Sequence, residues 1–129
     1  NYPPSIDGCS AYTIFVSKVD QDGNEIAGIR LPPVEAPIAT TTGWGLRREG
    51  FSENEGLESE GQYIPFKKTG SERIAIGDPR LSLEERYQNH VGYVAAVTKS
   101  AQKLEKQRFL LPPDVQRYIA DAELSNILD

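Results

Sequence analysis

The sequence of 129 residues has little or none of several residue types, and each shortage excludes a class of site. It contains no methionine, one cysteine and one histidine. The single cysteine, Cys9, excludes an internal disulfide, and one cysteine with one histidine do not make a zinc-binding set. Because methionine is absent, Asn1 is not a translation start. We therefore expect a processed product, an excised domain or a fragment of a longer protein.

Positive charge and long apolar runs are also scarce. The net charge is -5 and the isoelectric point is near 4.9, which argues against nucleic acid or an anionic membrane as the main partner. No apolar run approaches the ~20 residues that a membrane-spanning helix needs. Hydrophobic residues make up 38% of the chain and charged residues 26%, which is typical of one globular domain.

The first structured stretch resembles a β-hairpin. Residues 12–16 are rich in β-branched and aromatic side chains, and residues 26–31 are suited to return as the partner strand. Between them lies Asp22-Gly23, a strong turn signal because the turn needs a residue at positive φ. The acidic turn does not fit a calcium loop, since its sixth and twelfth residues from Asp20 are not the required glycine and glutamate.

An extended path follows the predicted hairpin and ends at the only tryptophan. Prolines at positions 32, 33 and 37 favour an edge or surface strand, since proline lacks the N–H that a central strand donates. Residues 40–42 are three threonines that extend this strand. Trp44 lies between two glycines, and we interpret it as a core or interface anchor in preference to a ligand-stacking residue.

Residues 45–81 read as a loop-rich segment that wraps around another body. Residues 49–62 hold five glutamates and neither lysine nor arginine, with glycines and serines that break any periodicity. Nothing fixes the geometry of these carboxylates, so we predict no metal site there. Residues 63–66, Tyr-Ile-Pro-Phe, form a short apolar anchor, and residues 71–76 favour a brief helix.

The last part of the chain, residues 82–129, predicts two helices. Ser82 and Glu85 have the spacing of a capping box, and apolar residues at helical spacing run from Leu83 to Leu104 as one continuous helix. A second helix begins at Pro112, since proline suits a first turn. We therefore predict an α+β fold in one segment: a lead-in over 1–11, a hairpin and extended strand over 12–44, the loop-rich wrap over 45–81 and the helical pair.

No catalytic motif accompanies this framework. A serine triad would have to use His90, the only histidine, which lies one step from the apolar stripe of the predicted helix. Residues 8–12 lack the last glycine of a nucleophile elbow, and no glycine-rich phosphate loop precedes a helix. We assign no catalytic, cofactor-binding or metal-binding residue, and we interpret His90 as structural or solvated.

Several ordered motifs nevertheless resemble one family. Residues 19–32 read VDQDGNEIAGIRLP, residues 37–47 read PIATTTGWGLR, residues 63–73 read YIPFKKTGSER and residues 77–87 read GDPRLSLEERY. Leu110-Leu111-Pro112 and Asp114 supply a further anchor. Together, over roughly residues 12–119, they resemble the carboxyl-terminal part of a family of large α/β-hydrolase-domain proteins. One departure is Gly45, where that family often has asparagine.

The resemblance implies a serine-hydrolase context with ester or related acyl hydrolysis. In such proteins the nucleophile elbow and the catalytic histidine lie upstream of the segment represented here, so no triad residue carries over to this chain. The resemblance implies a tail that packs on a hydrolase core, with Trp44, Tyr63 and Phe66 as interface or pocket-wall residues. The partner would be the remainder of the parent polypeptide or a homo-oligomer. The alternative is an autonomous, non-enzymatic α+β interaction module. Substrate and compartment stay open.

Overall fold

The computed structural model describes residues 15–47, 49–50, 56–57 and 61–129. These ranges contain two antiparallel two-stranded sheets and five helices, which confirms the predicted α+β class. In chain order the elements are α1 (Pro32–Glu35), β1 (Ala39–Thr42), β2 (Gly45–Leu46), β3 (Gly56–Leu57), β4 (Gln62–Pro65), α2 (Gly70–Ala75), α3 (Leu83–Tyr87), α4 (His90–Lys106) and α5 (Pro112–Leu124).

The acidic turn forms where the sequence predicts it, but the described residues on its two sides form a single β-bridge and no strand. Gly23 has φ +81°, as the turn requires, and one antiparallel bridge joins Val19 to Glu25. Residues 26–31, predicted as the returning strand, contain no strand. The Arg30 side chain accounts for this because it donates to the Glu25 carbonyl at 3.0 Å and to the Val34 carbonyl at 3.1 Å, which curls the segment onto itself. Positions 12–14 of the predicted first strand lie outside the described residues.

The prediction of an extended path after the turn is also wrong in part. Residues 32–35, predicted as extended, form the single helical turn α1, with Pro32 in the first turn, where the missing N–H costs nothing. The predicted threonine strand is β1. It pairs antiparallel with β4 over four residues, from Ala39 opposite Pro65 to Thr42 opposite Gln62. The main sheet is therefore built from β1 and a strand that lies inside the segment predicted as loop-rich, and β2 pairs separately with β3.

The long helix predicted from residue 82 is broken in two. Gln88 ends α3 with φ 67°, and the side chain of Asn89 accepts from the Gly92 N–H at 2.9 Å as the cap of α4. The prediction of one continuous apolar stripe is therefore wrong across this break, and Val91 is 74% exposed. The periodicity missed the break because a residue at positive φ and the asparagine cap after it end one helix and start the next without altering the spacing of apolar residues.

The core lies where α4 packs against α1 and α5. Ala36, Val97 and Ala122 are its buried centre, and the rings of Tyr93 and Tyr118 pack against it. Nine hydrophobic residues are buried among those described, and four of them are alanines. This is a thin core, because an alanine side chain removes little apolar area from water. The predicted brief helix near residues 71–76 forms as α2, with Thr69 and Glu72 in a capping box.

Candidate functional site

The most elaborate polar cluster joins the acidic turn to β1. The Asn24 side chain, 1% exposed, donates to the Ala39 carbonyl at 3.2 Å and accepts from the Thr41 N–H at 2.8 Å. The Thr40 hydroxyl donates to the Asp22 carbonyl. Asn24 therefore satisfies two of the outward backbone groups of β1 in place of a neighbouring strand, and the turn is held against the sheet.

A buried ion pair then connects this turn to α3. The Arg86 guanidinium binds the Asp22 carboxylate through both terminal nitrogens, with Nη1 2.8 Å from Oδ2. The two side chains are only 11% and 9% exposed. The same guanidinium lies 4.2 Å from the centroid of the Phe66 ring, in cation–π contact. Arg86 therefore holds together three parts of the chain that are far apart in sequence: the turn, the residue after β4, and α3.

A second arginine covers the same ring. The Arg80 guanidinium lies 5.1 Å from the Phe66 centroid and donates to the Ile64 carbonyl at 2.9 Å and to the Thr40 hydroxyl at 2.8 Å. It also binds Asp78 through Nε at 2.9 Å and Nη2 at 2.6 Å. Hydrogen bonds from Arg80 lower the pKa of Asp78 to about 2 because they favour its ionised form.

A further ion pair joins α2 to α3. Arg73 donates to Glu85 through Nε at 2.6 Å and through Nη2 at 2.8 Å, while the Ser82 N–H and hydroxyl donate to the same carboxylate. Arg73, followed by Ser82, holds the pKa of Glu85 well below its usual range. The predicted capping box at Ser82 is confirmed, with the addition of an arginine that its spacing did not indicate.

In these clusters the carboxylates are engaged by arginines. Asp20 binds Arg30 at 2.7 Å and accepts from the backbone N–H groups of Asp22 and Asn24, while Asp22 binds Arg86. Within the described ranges no group of three metal-ligating side chains comes together. The chemistry of the cluster is therefore charge pairing and strand capping, and it offers no open carboxylate pair for acid–base work.

The three predicted interface residues lie in different environments. Trp44 is half-buried, and its carbonyl accepts from the Thr42 hydroxyl at 2.5 Å. Tyr63, in β4, is 62% exposed. Phe66 is 6% exposed because Arg80 and Arg86 cover its ring, so its burial is complete within this chain. The sequence motifs contain both arginines, but no spacing rule indicated that they flank one phenylalanine.

His90 begins α4 and contacts the end of the chain. Its Nδ1 lies 2.8 Å from the Ile127 carbonyl oxygen and 3.7 Å from a carboxylate oxygen of Asp129. Neither a serine nor a cysteine side chain is hydrogen-bonded to this ring among the described residues. The geometry is that of a side chain that fastens the last residues onto the start of α4, and none of its described contacts is with the nucleophile of a triad.

Two shallow depressions lie along the helices. One, of about 570 Å³, runs along a polar face of α4 that includes Lys99, Lys103 and Lys106. The other, of about 230 Å³, lies between α1, α4 and α5 beside Tyr93 and Tyr118. Burial raises the pKa of Tyr93, as expected for a phenol beside an apolar core. Across the described ranges, every helix is too short or too polar to cross a bilayer.

Comparison with known proteins gives one match. The sequence model of a family described as alpha/beta hydrolase domain matches residues 3–120. Neither the curated proteins nor the solved structures include a match to this chain. The family match therefore rests on nearly the whole sequence and comes without a relative of known activity.

Proposed function

Because this chain belongs to the alpha/beta hydrolase domain family, we propose that it is the carboxyl-terminal structural segment of a hydrolase of serine esterase type. In this proposal it covers the catalytic core and supplies a wall of the substrate pocket, and it is not catalytic by itself. Trp44 and Tyr63 line the covered surface. Phe66 supports that surface from within, since its ring is already covered by Arg80 and Arg86.

The observation that carries this proposal is the imbalance between buried and exposed apolar side chains. Sixteen large hydrophobic residues are exposed among those described, against nine buried hydrophobic residues, of which four are alanines. The exposed set includes Phe109 at 54%, Leu111 at 68% and Leu124 at 86%. Single exposed apolar residues are ordinary, but so many beside so thin a core favour a surface that another body covers.

Phe109 and Leu111 belong to the elbow between α4 and α5, defined here as residues 107–111. The elbow reverses the chain through Arg108, which has φ 67°. Phe109 and Leu110 are tied back to α4, since both of their N–H groups donate to the Leu104 carbonyl. The apolar side chains are therefore displayed on a backbone that is held in place, as a preformed contact surface requires.

The experiment is hydroxyl-radical footprinting of this chain alone and within the complete polypeptide that contains it. We expect Phe109 and Leu111 to be oxidised readily in the isolated chain and protected in the complete polypeptide. Phe66 is the matched control, because a buried phenylalanine should react slowly in both. Equal oxidation of Phe109 in the two samples would contradict a covering role.

The same samples test the catalytic part of the proposal. Hydrolysis of a p-nitrophenyl ester is expected from the complete polypeptide and not from the isolated chain. His90→Ala in the complete polypeptide should retain that activity, because the imidazole is engaged by the Ile127 carbonyl and, among the described residues, by no nucleophile. Loss of turnover in a folded His90→Ala variant would show that the histidine takes part in the chemistry.

A second candidate function, an autonomous interaction module, is favoured by the internal ion pairs. Asp22–Arg86 and Arg73–Glu85 are contacts that a domain able to fold alone would use. Such a module should unfold cooperatively and bind little hydrophobic dye. A covering segment in isolation should bind dye strongly through its exposed apolar side chains. Unfolding and dye binding of the purified chain therefore separate the two candidates.

A further inference from the structure

The two strands of the main sheet differ in what occupies their outer edges. The Phe66 N–H donates to the Ile38 carbonyl at 3.0 Å, in register with the pairing of Ile64 with Thr40. Because inward and outward residues alternate in an antiparallel pair, the backbone N–H and C=O of Ile64 point into the sheet. Those of Tyr63 point out of it, away from β1.

The centre of the outer edge of β1 is occupied by a side chain. Its outward backbone groups include the Ala39 carbonyl and the Thr41 N–H, and the Asn24 side chain binds both. A side-chain amide has one donor and one acceptor arm in the same plane, so it takes the place of a peptide unit of a further strand. Within the part of the chain that the structure describes, no comparable contact covers the β4 edge.

No described strand pairs with the outer edge of β4, and this edge carries no charge. All four residues, Gln62 to Pro65, are exposed and uncharged. Neither backbone group of Tyr63 has a hydrogen-bond partner among the described residues. Natural sheets usually protect such an edge with lysine or another charge, and a two-stranded sheet is marginally stable by itself. Pro65 lacks an N–H, so a ladder on this edge ends there.

We propose that the β4 edge accepts an extended strand from the remainder of the hydrolase polypeptide, with hydrogen bonds centred on Tyr63. The inference rests on the proposed function, which supplies the partner. Hydrolases of the α/β class are built on a β-sheet, so the partner has strands to offer. Recognition is through the backbone: the added strand exchanges hydrogen bonds with the N–H and C=O of Tyr63 and donates to the Pro65 carbonyl.

The test is amide hydrogen exchange at residue resolution, on the chain alone and in the complete polypeptide. The Ile64 amide should be protected in both samples because it faces β1. The Tyr63 amide should exchange freely in the isolated chain and at least about tenfold more slowly in the complete polypeptide. Fast exchange of Tyr63 in both samples overturns the proposal. Slow exchange of the Tyr63 amide in the isolated chain also overturns the proposal. If that slow rate does not depend on protein concentration, another part of this chain covers the edge. If it does depend on concentration, a second copy of the chain covers the edge.

A pair of variants separates backbone recognition from side-chain contact. Tyr63→Pro removes the outward N–H, while Tyr63→Val keeps it and removes the ring. In the complete polypeptide, loss of exchange protection on the partner strand is expected for Tyr63→Pro and not for Tyr63→Val, with unchanged far-UV circular dichroism as the check on folding. The opposite result would mean that the ring makes the contact and would overturn strand addition.

This test is separable from that of the proposed function. If Phe109 is protected from oxidation in the complete polypeptide while Tyr63 still exchanges fast, the covering role stands and the strand-addition proposal fails. If neither Phe109 nor Tyr63 is protected, both proposals fail.

Discussion

The ion pair between Asp22 and Arg86 makes the sharpest prediction about stability. Arg86→Leu removes the guanidinium and leaves the Asp22 carboxylate, 9% exposed, without its charged partner. Breaking a buried pair in this way typically costs about 3–5 kcal/mol, because the remaining charge is desolvated and unpaired. The cation–π contact with Phe66, at 4.2 Å, adds about 0.5–2 kcal/mol. Together these give an expected loss of about 3.5–7 kcal/mol, towards the lower end because leucine still covers part of the ring.

A double-mutant cycle isolates the pair from the rest of the site. Asp22→Asn removes the charge while keeping the shape, so Asp22→Asn with Arg86→Leu leaves no buried unpaired charge. We expect the double variant to be less destabilised than the sum of the single variants by about 2 kcal/mol or more. The assay is urea unfolding followed by circular dichroism, with native-state exchange of the α4 amides as a second measure.

The matched control is an exposed pair in the same chain. Arg117 binds Asp114 at 2.9 Å on α5, with side chains 69% and 36% exposed. Arg117→Leu should cost less than about 1 kcal/mol, because water screens and solvates both charges. The reasoning is refuted if Arg86→Leu costs no more than Arg117→Leu, or if the Asp22 and Arg86 effects are simply additive.

Three further predictions concern a glycine, a carboxylate and a helix cap. Gly92→Ala should destabilise the chain, although the change stabilises most helices by ~1 kcal/mol, because the added Cβ would lie 1.9 Å from the Tyr87 carbonyl oxygen. Thermal unfolding measures this. The pKa of Asp78 is lowered to about 2, so its stabilisation is present above the unfolded value of about 3.8 and is lost as pH falls towards 2. Asp78→Asn should therefore lower the free energy of unfolding at neutral pH. It should also make that free energy decrease less steeply between pH 3.8 and about 2, as a pH series of unfolding curves would measure. Leu111→Ser should stabilise the isolated chain by about 1 kcal/mol, because Leu111 caps α5 without a side-chain hydrogen bond. In the complete polypeptide the same change should weaken the protection of the elbow from oxidation.

Each of these has its own control. Gln102→Ala, at an exposed position of α4, should leave the melting temperature nearly unchanged, and a Gly92→Ala variant that melts higher than the parent would contradict the close approach. Asp121→Asn is the control variant for the pH series of unfolding curves, since no arginine binds that carboxylate among the described contacts. Gln116→Ser, on the exposed side of α5, is the control for the helix cap. It should alter neither the stability of the isolated chain nor the protection of the elbow in the complete polypeptide. A Leu111→Ser variant less stable in isolation would show that the leucine packs within this chain.

Local signals in the sequence predicted the local structure. The Asp22-Gly23 turn, the capping box at Ser82 and the proline start of α5 all occur where expected, because each depends on residues within one turn of the chain. The α+β class follows from the same signals. The family was also recognisable from ordered motifs spread over most of the chain, in agreement with the match over residues 3–120.

The tertiary structure decided what the strands pair with and what the arginines hold. β4 pairs with β1, and residues 26–31 form no strand, because Arg30 binds the Glu25 and Val34 carbonyls and curls that segment onto itself. Arg80 and Arg86 enclose Phe66, a contact between parts of the chain that no periodicity brings together. Such contacts depend on where distant segments meet in space. The residues alone therefore determined the turn, the helix starts and the family, while the packing of distant segments determined the strand pairing and which apolar side chains are left exposed.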